Sequence, residues 1–394
     1  MTERRLIELH VENFKSLRHV TLPLGPVSVL VGPNGAGKSN VLEVFRLLAD
    51  VVRTDLRPAL EERGGFDRLV FRGGQERPGH IRIGIRGRWS PTAEDQQDEY
   101  VLTVHGEPFA REETFRYRLQ GRRSQTIQIR GETVTVTDLP AAQPGTSEEI
   151  GIQPDSSGLS TLPRLSSHRF GSGPRQVAAL LGGFRVFDVN VSSALLPSRV
   201  PKTGAEELWD DAANLAGFLL WLRNQHPDAW AQLQADAAEV LPQLESLDFA
   251  HPDGAAQSVV VVLRERGLLE PTHLLDASYG TIRLLGLLAM LHDPHPPALT
   301  CVEEIDHGLH PQALELLVER VREAAARSQF LIATHSPALV DRLKPEEIVV
   351  CERGDDGSSL IPAISTARIE EIVRASEGLP LGNLWFSGLL GGDL

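Results

Sequence analysis

The chain has 394 residues, enough for one large α/β domain with insertions or for two modest domains. Its formal net charge of −14 argues against a surface that holds nucleic acid by bulk positive charge, though a local basic groove remains open. No apolar run reaches membrane-spanning length, and the opening residues alternate like a strand instead of carrying a signal-peptide core, so a cytoplasmic protein without membrane contact is expected.

Residues 4 to 31 read as two strands, with a turn at Asn13-Phe14-Lys15-Ser16. The second contains the apolar run Val27–Val31 and leads straight into Gly32-Pro33-Asn34-Gly35-Ala36-Gly37-Lys38-Ser39. That stretch fits G-x-x-x-x-G-K-[ST], the phosphate-binding loop, and a helix is predicted from Ser39 to near Asp50. Strand, loop and helix in this order let backbone N–H groups of Asn34, Gly35, Ala36, Gly37 and Asn40 and a helix N-terminus cradle phosphates. Lys38 then reaches the terminal phosphates and Ser39 ligates Mg²⁺.

Residues 51–79 are mixed, with a short element near Asp67–Phe71. Residues 80–137 read as an antiparallel β meander, with clean alternation in Ile81–Gly87, Phe115–Gln120, Thr126–Arg130 and Thr133–Thr137. Its polar face carries Arg82, Arg86, Arg88, Arg116, Arg118 and Arg130, with Arg122-Arg123 in a turn. Two readings stand side by side: a solvated sheet face, or a patch for the phosphates of a nucleic acid or nucleotide. Residues 138–178, rich in Pro, Gly and Ser, read as a loop, and order returns toward a strand ending near Asp188.

Residues 204–247 form a block of two or three short helices, with Trp221 and Trp230 expected in packing. The core pattern then resumes. Strands are predicted at Ser258–Leu263, Ala298–Val302, Phe330–Thr334 and Ile348–Glu352, alternating with helices at Ile282–Leu291, His310–Ala326 and Glu370–Glu377. This alternation argues for a mostly parallel sheet with helices on both faces. Cys301 and Cys351 lie in the strand-like runs and are expected in the core, and the apolar tail Leu381–Gly392 is expected to dock on the domain.

Val302-Glu303-Glu304-Ile305-Asp306 stands at the end of a buried strand, where ligands bind in such sheets. Phosphate chemistry needs one carboxylate near Mg²⁺ and one that polarises the attacking water. Glu303 is assigned to the metal and Glu304 to the water. His335 follows another strand and is placed to contact the γ-phosphate or the water. Ser278-Tyr279-Gly280-Thr281, just before a helix, is a second anion-binding candidate whose phosphates can belong to another subunit.

Taken together, the phosphate loop, S-x-G-T, the Glu-Glu strand, Gly308-Leu309-His310-Pro311 and Thr334-His335-Ser336 resemble the ATP-binding-cassette ATPases of the SMC and RecF branch. The likeness is nearer to the short AAA-labelled ATPases related to the ATPase half of OLD-family nucleases. The opening Val11-Glu12-Asn13-Phe14-Lys15-Ser16-Leu17 and the closing Leu384-Trp385-Phe386-Ser387-Gly388 are similar to that group as well. The resemblance implies an ATP-binding-cassette head with halves at 1–203 and 251–394. Residues 204–250 would be a helical insertion in place of a coiled coil. It also implies ATP and Mg²⁺ as cofactors and a homodimer with two ATPs sandwiched between heads. Ser278, Gly280 and Thr281 would meet the γ-phosphate held by the other copy's Lys38, and Gly308, Leu309 and His310 would lie at the interface. Gln75 becomes a candidate sensor of Mg²⁺ and water, and Asn13, Phe14 and Lys15 candidates for the base or ribose.

Three features depart from the pattern. Glu303 stands where the wider superfamily has Asp, no long coiled coil is seen in the pattern, and no Toprim nuclease is expected, so cleavage would fall to a separate nuclease or effector. The expected function is an ATPase switch that gates DNA binding or an effector in DNA repair or anti-phage and anti-plasmid defence. A membrane transporter's ATPase subunit is the alternative, and a small-molecule kinase a third reading.

Overall fold

The structure, a computed structural model, describes residues 5–90, 97–118, 124–139, 146–149, 151–164, 173–200, 206–252, 257–376 and 378–391. β1 (Arg5–Phe14) and β2 (Leu17–Pro23) form a hairpin, and β3 (Val27–Val31) leads into α1 (Lys38–Arg53). The meander follows as β4 (His80–Arg88), β5 (Asp98–His105), β6 (Ala110–Arg118), β7 (Ser124–Arg130), β8 (Thr133–Leu139) and β9 (Thr146–Glu149). After α2 (Gly173–Gly182) come β10 (Arg185–Phe187), β11 (Ser198–Arg199), α3 (Leu215–Gln225), α4 (Pro227–Val240), β12 (Leu244–Ala250), β13 (Ser258–Glu265) and β14 (Thr272–His273). The last third holds α5 (Tyr279–Leu291), β15 (Leu299–Glu303), α6 (Pro311–Ala324), β16 (Gln329–Thr334), β17 (Ile348–Val350), β18 (Glu352–Arg353), β19 (Ser359–Leu360) and α7 (Thr366–Ala375).

The centre is a five-stranded sheet, order β10-β15-β16-β3-β17, with every pair parallel. Its strands are buried on both faces, and their side chains divide between two cores with a period of two. Val27, Val29, Val31, Val302, Phe330, Ile332 and Val350 pack on α3 to α6. Leu30, Cys301, Leu331, Ala333, Val349 and Cys351 face α1 and the second sheet. That second sheet has eight antiparallel strands, order β2-β1-β4-β5-β6-β7-β8-β9. Parallel core, antiparallel meander and flanking helices give the architecture of a P-loop ATPase of the ATP-binding-cassette type.

Several expectations need correcting. Residues 5–31 hold three strands and not two, because the Asn13–Ser16 turn closes a hairpin before β3 begins. β5 was absent from the predicted meander. Tyr100, Val101 and Leu102 are consecutive and all buried, which destroys the alternation that betrays a half-buried strand. β13 does not join the core sheet. It pairs antiparallel with β11, β12 and β14 in a small separate sheet, with Val259, Val261 and Leu263 in the core that includes α3. A run of four valines signals a buried strand without saying which sheet receives it. Residues 204–250 were expected to be helical, and they end in β12 after the two helices α3 and α4.

Other expectations hold. Trp221, Trp230, Cys301 and Cys351 are buried, and the tail docks through Leu381, Leu384, Trp385 and Leu390. Three of the meander's arginines, Arg86, Arg116 and Arg130, are matched by acids. Arg86 bonds Glu8 at 3.0 Å and Glu99 at 3.1 Å, Arg116 reaches Glu99 at 2.9 Å, and Arg130 lies 3.4 Å from Glu112. The register sets acid opposite base across five strands, the pattern of a solvated sheet face. Arg122 and Arg123 lie outside the described residues, as do Gly204 and Ala205 at the start of the helical block.

Candidate functional site

The register of the parallel sheet brings its motifs to one edge. Thr334 pairs with Val31 and Glu303 with Ala333, so Gly32, Glu304 and His335 leave neighbouring strands at the same level. This is the C-terminal edge of the sheet, where the fold binds ligands.

After β3 the chain turns through the phosphate loop with Gly35 at φ 83° and Gly37 at φ 102°. At Gly37 space as well as conformation requires glycine, and at Gly32 space does. A Cβ on Gly37 would lie 2.1 Å from Ser359 Oγ, and one on Gly32 would lie 2.2 Å from the Cys351 carbonyl oxygen. Beneath the loop, Asn40 Nδ2 donates to Ser16 Oγ at 2.7 Å, and Ser16 Oγ meets Ser359 Oγ at 2.7 Å. Arg353 Nη1 donates to the Gly35 carbonyl at 2.9 Å. The β18–β19 hairpin therefore clasps the loop from the far end of the chain, and Arg18, bonded to Asp356 at 2.8 Å, fastens that hairpin to β2.

Lys38 Nζ donates to the carbonyls of Gly32 at 2.6 Å and Pro33 at 2.9 Å, two uses of its three donors. Burial draws its pKa below the ordinary lysine value, against the pull of Glu304, Glu303 and Asp306. Ser39 Oγ donates to Glu303 Oε1. A hydroxyl and a carboxylate side by side are hard oxygen donors suited to Mg²⁺, which completes its shell with water and nucleotide phosphates. Among the described residues no cluster of three or more His, Cys, Asp or Glu side chains could hold a metal alone.

Glu304 is the one acidic residue of the site in the left-handed region, at φ 48°. Its backbone is held three ways. Its N–H donates to the Ala333 carbonyl at 2.9 Å, and its carbonyl accepts from His307 N at 2.9 Å and from Arg283 Nη2 at 2.8 Å. Arg283, buried on α5, also reaches the Glu303 carbonyl at 3.2 Å. Glu304 Oε2 lies 3.1 Å from His307 Nδ1, and Oε1 lies 3.7 Å from His335 Nδ1. Asp306 accepts from the buried Thr334 hydroxyl at 2.6 Å, fixing the turn beyond the strand.

A cleft of about 190 Å³ joins Asn34, Gly35, Gly37, Lys38, Ser39, Asn40, Glu303 and Glu304. Asn40 and Arg353 link it to a second cavity of about 460 Å³, whose walls include Lys15, Arg68, Phe71 and Arg72. Ser278 and Gly280 stand apart from the lining of both cavities. Ser278 caps α5, its Oγ accepting from Thr281 N at 3.1 Å and lying 2.8 Å from Thr281 Oγ1, and both Ser278 and Tyr279 are exposed. Gly280 packs on the Gly308 turn, where a Cβ would come within 2.7 Å of the Gly308 carbonyl oxygen. Gln75 sits on an exposed loop and lines a different cavity, with Asp67, Arg72 and Arg77.

Sequence reasoning missed Arg353, Arg283, Ser359 and His307. Arg353 meets Gly35 across 318 residues of chain, and no local pattern announces such a contact. His307 carried a usable signal, since it stands three residues beyond Glu304 in a turn.

Fold and site together define a P-loop ATPase of the SMC and ATP-binding-cassette branch. Residues 27–341 match the family described as "AAA domain, putative AbiEii toxin, Type IV TA system", and the chain belongs to that family. It is 46% identical over 55 residues to the OLD nuclease of Thermus scotoductus (strain ATCC 700910 / SA-01), a stretch covering 14% of this chain and 10% of that protein. It is 37% identical over 71 residues to Structural maintenance of chromosomes protein 1 of Schizosaccharomyces pombe (strain 972 / ATCC 24843), covering 18% of this chain and 5% of that one. Only a small part of each relative is matched.

Among solved structures, the fold is similar to an Smc head domain with an extended coiled coil bound to the C-terminal domain of ScpA, derived from Pyrococcus furiosus. The TM-score is 0.53 at 12% identity, covering 95% of this chain and 100% of that one. An SmcHead bound to the C-winged helix domain of ScpA gives 0.52 at 15% identity, covering 91% and 96%. Among the described residues no helix is long and apolar enough to cross a membrane.

Proposed function

We propose that this ATPase is a nucleotide-gated switch. Two copies close on two Mg-ATP molecules, and hydrolysis reopens them. The observation that carries the reading is the separation of two sets of residues. The cleft holding Lys38, Ser39, Glu303 and Glu304 includes no residue of the Ser278–Thr281 turn among its described walls, while Ser278 and Tyr279 of that turn are exposed. Ser278 and Gly280 are thus available to a second copy's nucleotide, with the buried Thr281 holding Ser278 in place, and closure and nucleotide binding become coupled.

In this reading the loop from Asn34 to Asn40 holds the phosphates, with Lys38 exchanging its carbonyl partners for phosphate oxygens. The larger cavity takes the ribose and base, with Lys15 on its wall. Ser39 and Glu303 would hold Mg²⁺, which when bound supplies charge neutralisation across the terminal phosphates. Glu304 accepts the proton of the attacking water. His335, on the adjacent strand, contacts that water or the γ-phosphate. Gln75 has no role in it. Residues 1–203 and 251–394 act as halves of one head, with 204–250 inserted between them.

The closed state would bind DNA or present a surface to an effector protein. Kinship with a family described by a toxin and matched to an OLD nuclease favours defence against phage or plasmids over repair. The test is the Glu304→Gln protein with Mg-ATP in light scattering. It should bind ATP, fail to turn over, and accumulate as a dimer. A persistent monomer would overturn the sandwich.

A further inference from the structure

We propose that His307 is a positioning residue for Glu304, and that Tyr279 couples it to the surface turn that would meet a second copy. This rests on the reading of Glu304 as the residue that takes the proton of the attacking water.

The backbone of Glu304 is fixed by Ala333, His307 and Arg283, so its remaining freedom lies in the side chain. The two carboxylate oxygens face two different imidazoles. Oε1 is directed toward His335 across 3.7 Å, longer than a hydrogen bond. Oε2 lies 3.1 Å from His307 Nδ1. A carboxylate that must take a proton on one oxygen is best aimed by a donor on the other, and His307 is the side chain that supplies it. The pair is short-range in the chain, spanning the turn Ile305–Gly308.

The far side of His307 meets Tyr279, with ring centroids 5.8 Å apart. Tyr279 also covers Gly308, where a Cβ would come within 2.6 Å of the Tyr279 ring. Tyr279 lies between Ser278 and Gly280. When those residues engage a second copy's nucleotide, a shift of Tyr279 is transmitted through His307 to Glu304 of the same chain. Occupancy of one cleft is thereby felt by the base of the other.

The experiment uses the full chain with Mg-ATP and compares steady-state hydrolysis in His307→Ala, His307→Asn, Tyr279→Ala, the Tyr279→Ala/His307→Ala double variant and Glu304→Gln. His307→Ala should lower kcat about tenfold with KM unchanged, the signature of an interaction made in the chemical step. His307→Asn, whose amide nitrogen can stand in for Nδ1, should recover to within about threefold of the parent. Tyr279→Ala should lower kcat as well, and the double variant should be no worse than His307→Ala alone. Parental kcat in His307→Ala, a loss confined to KM, or no recovery with Asn would each overturn the positioning role. Additive losses in the double variant would overturn the coupling. Glu304→Gln separates the levels: if it still hydrolyses ATP, the reading of Glu304 itself fails, whereas an inactive Glu304→Gln beside a fully active His307→Ala refutes this inference alone.

Discussion

Replacing Glu304 by Gly and by Ala tests whether the site stores backbone strain. Both substitutions remove the carboxylate and its contacts with His307 and His335, so the two proteins differ by a single Cβ. At an ordinary position Ala is the more stable by roughly 0.5–1 kcal/mol, because Gly gives up more freedom on folding. Residue 304 is at φ 48°, where a Cβ crowds the following carbonyl at a cost of roughly 1–2 kcal/mol. Taken at the midpoints of the two ranges, the balance inverts the usual order and leaves Gly ahead by about 0.75 kcal/mol. Urea unfolding without nucleotide, followed by circular dichroism, reads this as a higher midpoint for Glu304→Gly. With a slope of about 3 kcal/mol/M the separation is roughly 0.2–0.3 M. Neither protein should turn over ATP. An Ala protein as stable as the Gly protein would mean that the left-handed conformation does not persist in solution, and with it would go the account of how Glu304 is aimed. Strain kept at such a position is stabilised by its surroundings, here the Ala333 and Arg283 hydrogen bonds.

Two further outcomes follow from the hairpin and the meander. Hydrogen bonds from Ser358 and the Arg18 guanidinium hold the Asp356 carboxyl at about 2, below its ordinary 3.8. A depressed carboxyl stabilises the fold above its unfolded value, and that contribution disappears as pH falls through the folded one. The stability gap between the parent and Asp356→Asn should therefore be full above about pH 4 and close toward pH 2 in a denaturation series. On the meander, Arg86 and Arg116 are already matched to Glu8 and Glu99. Arg86→Gln and Arg116→Gln should leave DNA retention and its salt dependence unchanged, and a drop in either would return DNA to this face.

What could be read in advance was what is local. The phosphate loop, the helix behind it and the Glu-Glu strand are each contiguous, and their residue types carry their chemistry. The parallel core was legible because its strands are continuous apolar runs between helical patterns. Sheet membership was not, because β13 meets every criterion of a core strand and is claimed instead by β11, β12 and β14. The basic stripe was visible as arginines, but which of the two readings held, solvated face or patch, was not. The acids that neutralise it sit on β1, β5 and β6, and become neighbours only through the register. Arg353 and Ser359 escaped for the same reason, since their partners, Gly35 of the loop and Ser16 of the β1–β2 turn, lie more than 300 residues earlier.

That distance has a consequence for how the site comes into being. β3, which carries the phosphate loop, has no sheet neighbour from its own third of the chain: it lies between β16 and β17. Gly32 is packed on the Cys351 carbonyl and Gly37, left-handed at φ 102°, on Ser359, so residues 351–359 wall the loop at these two positions. Pairing so remote in sequence carries a loop-closure cost that is met only when the later strands dock. The 16-residue helix α1 can form early from local contacts, whereas the loop in front of it acquires walls only with β17 to β19 in place. ATP that binds this loop therefore binds the completed head and not a partly folded N-terminal unit, and nucleotide affinity stabilises the whole parallel sheet through mass action.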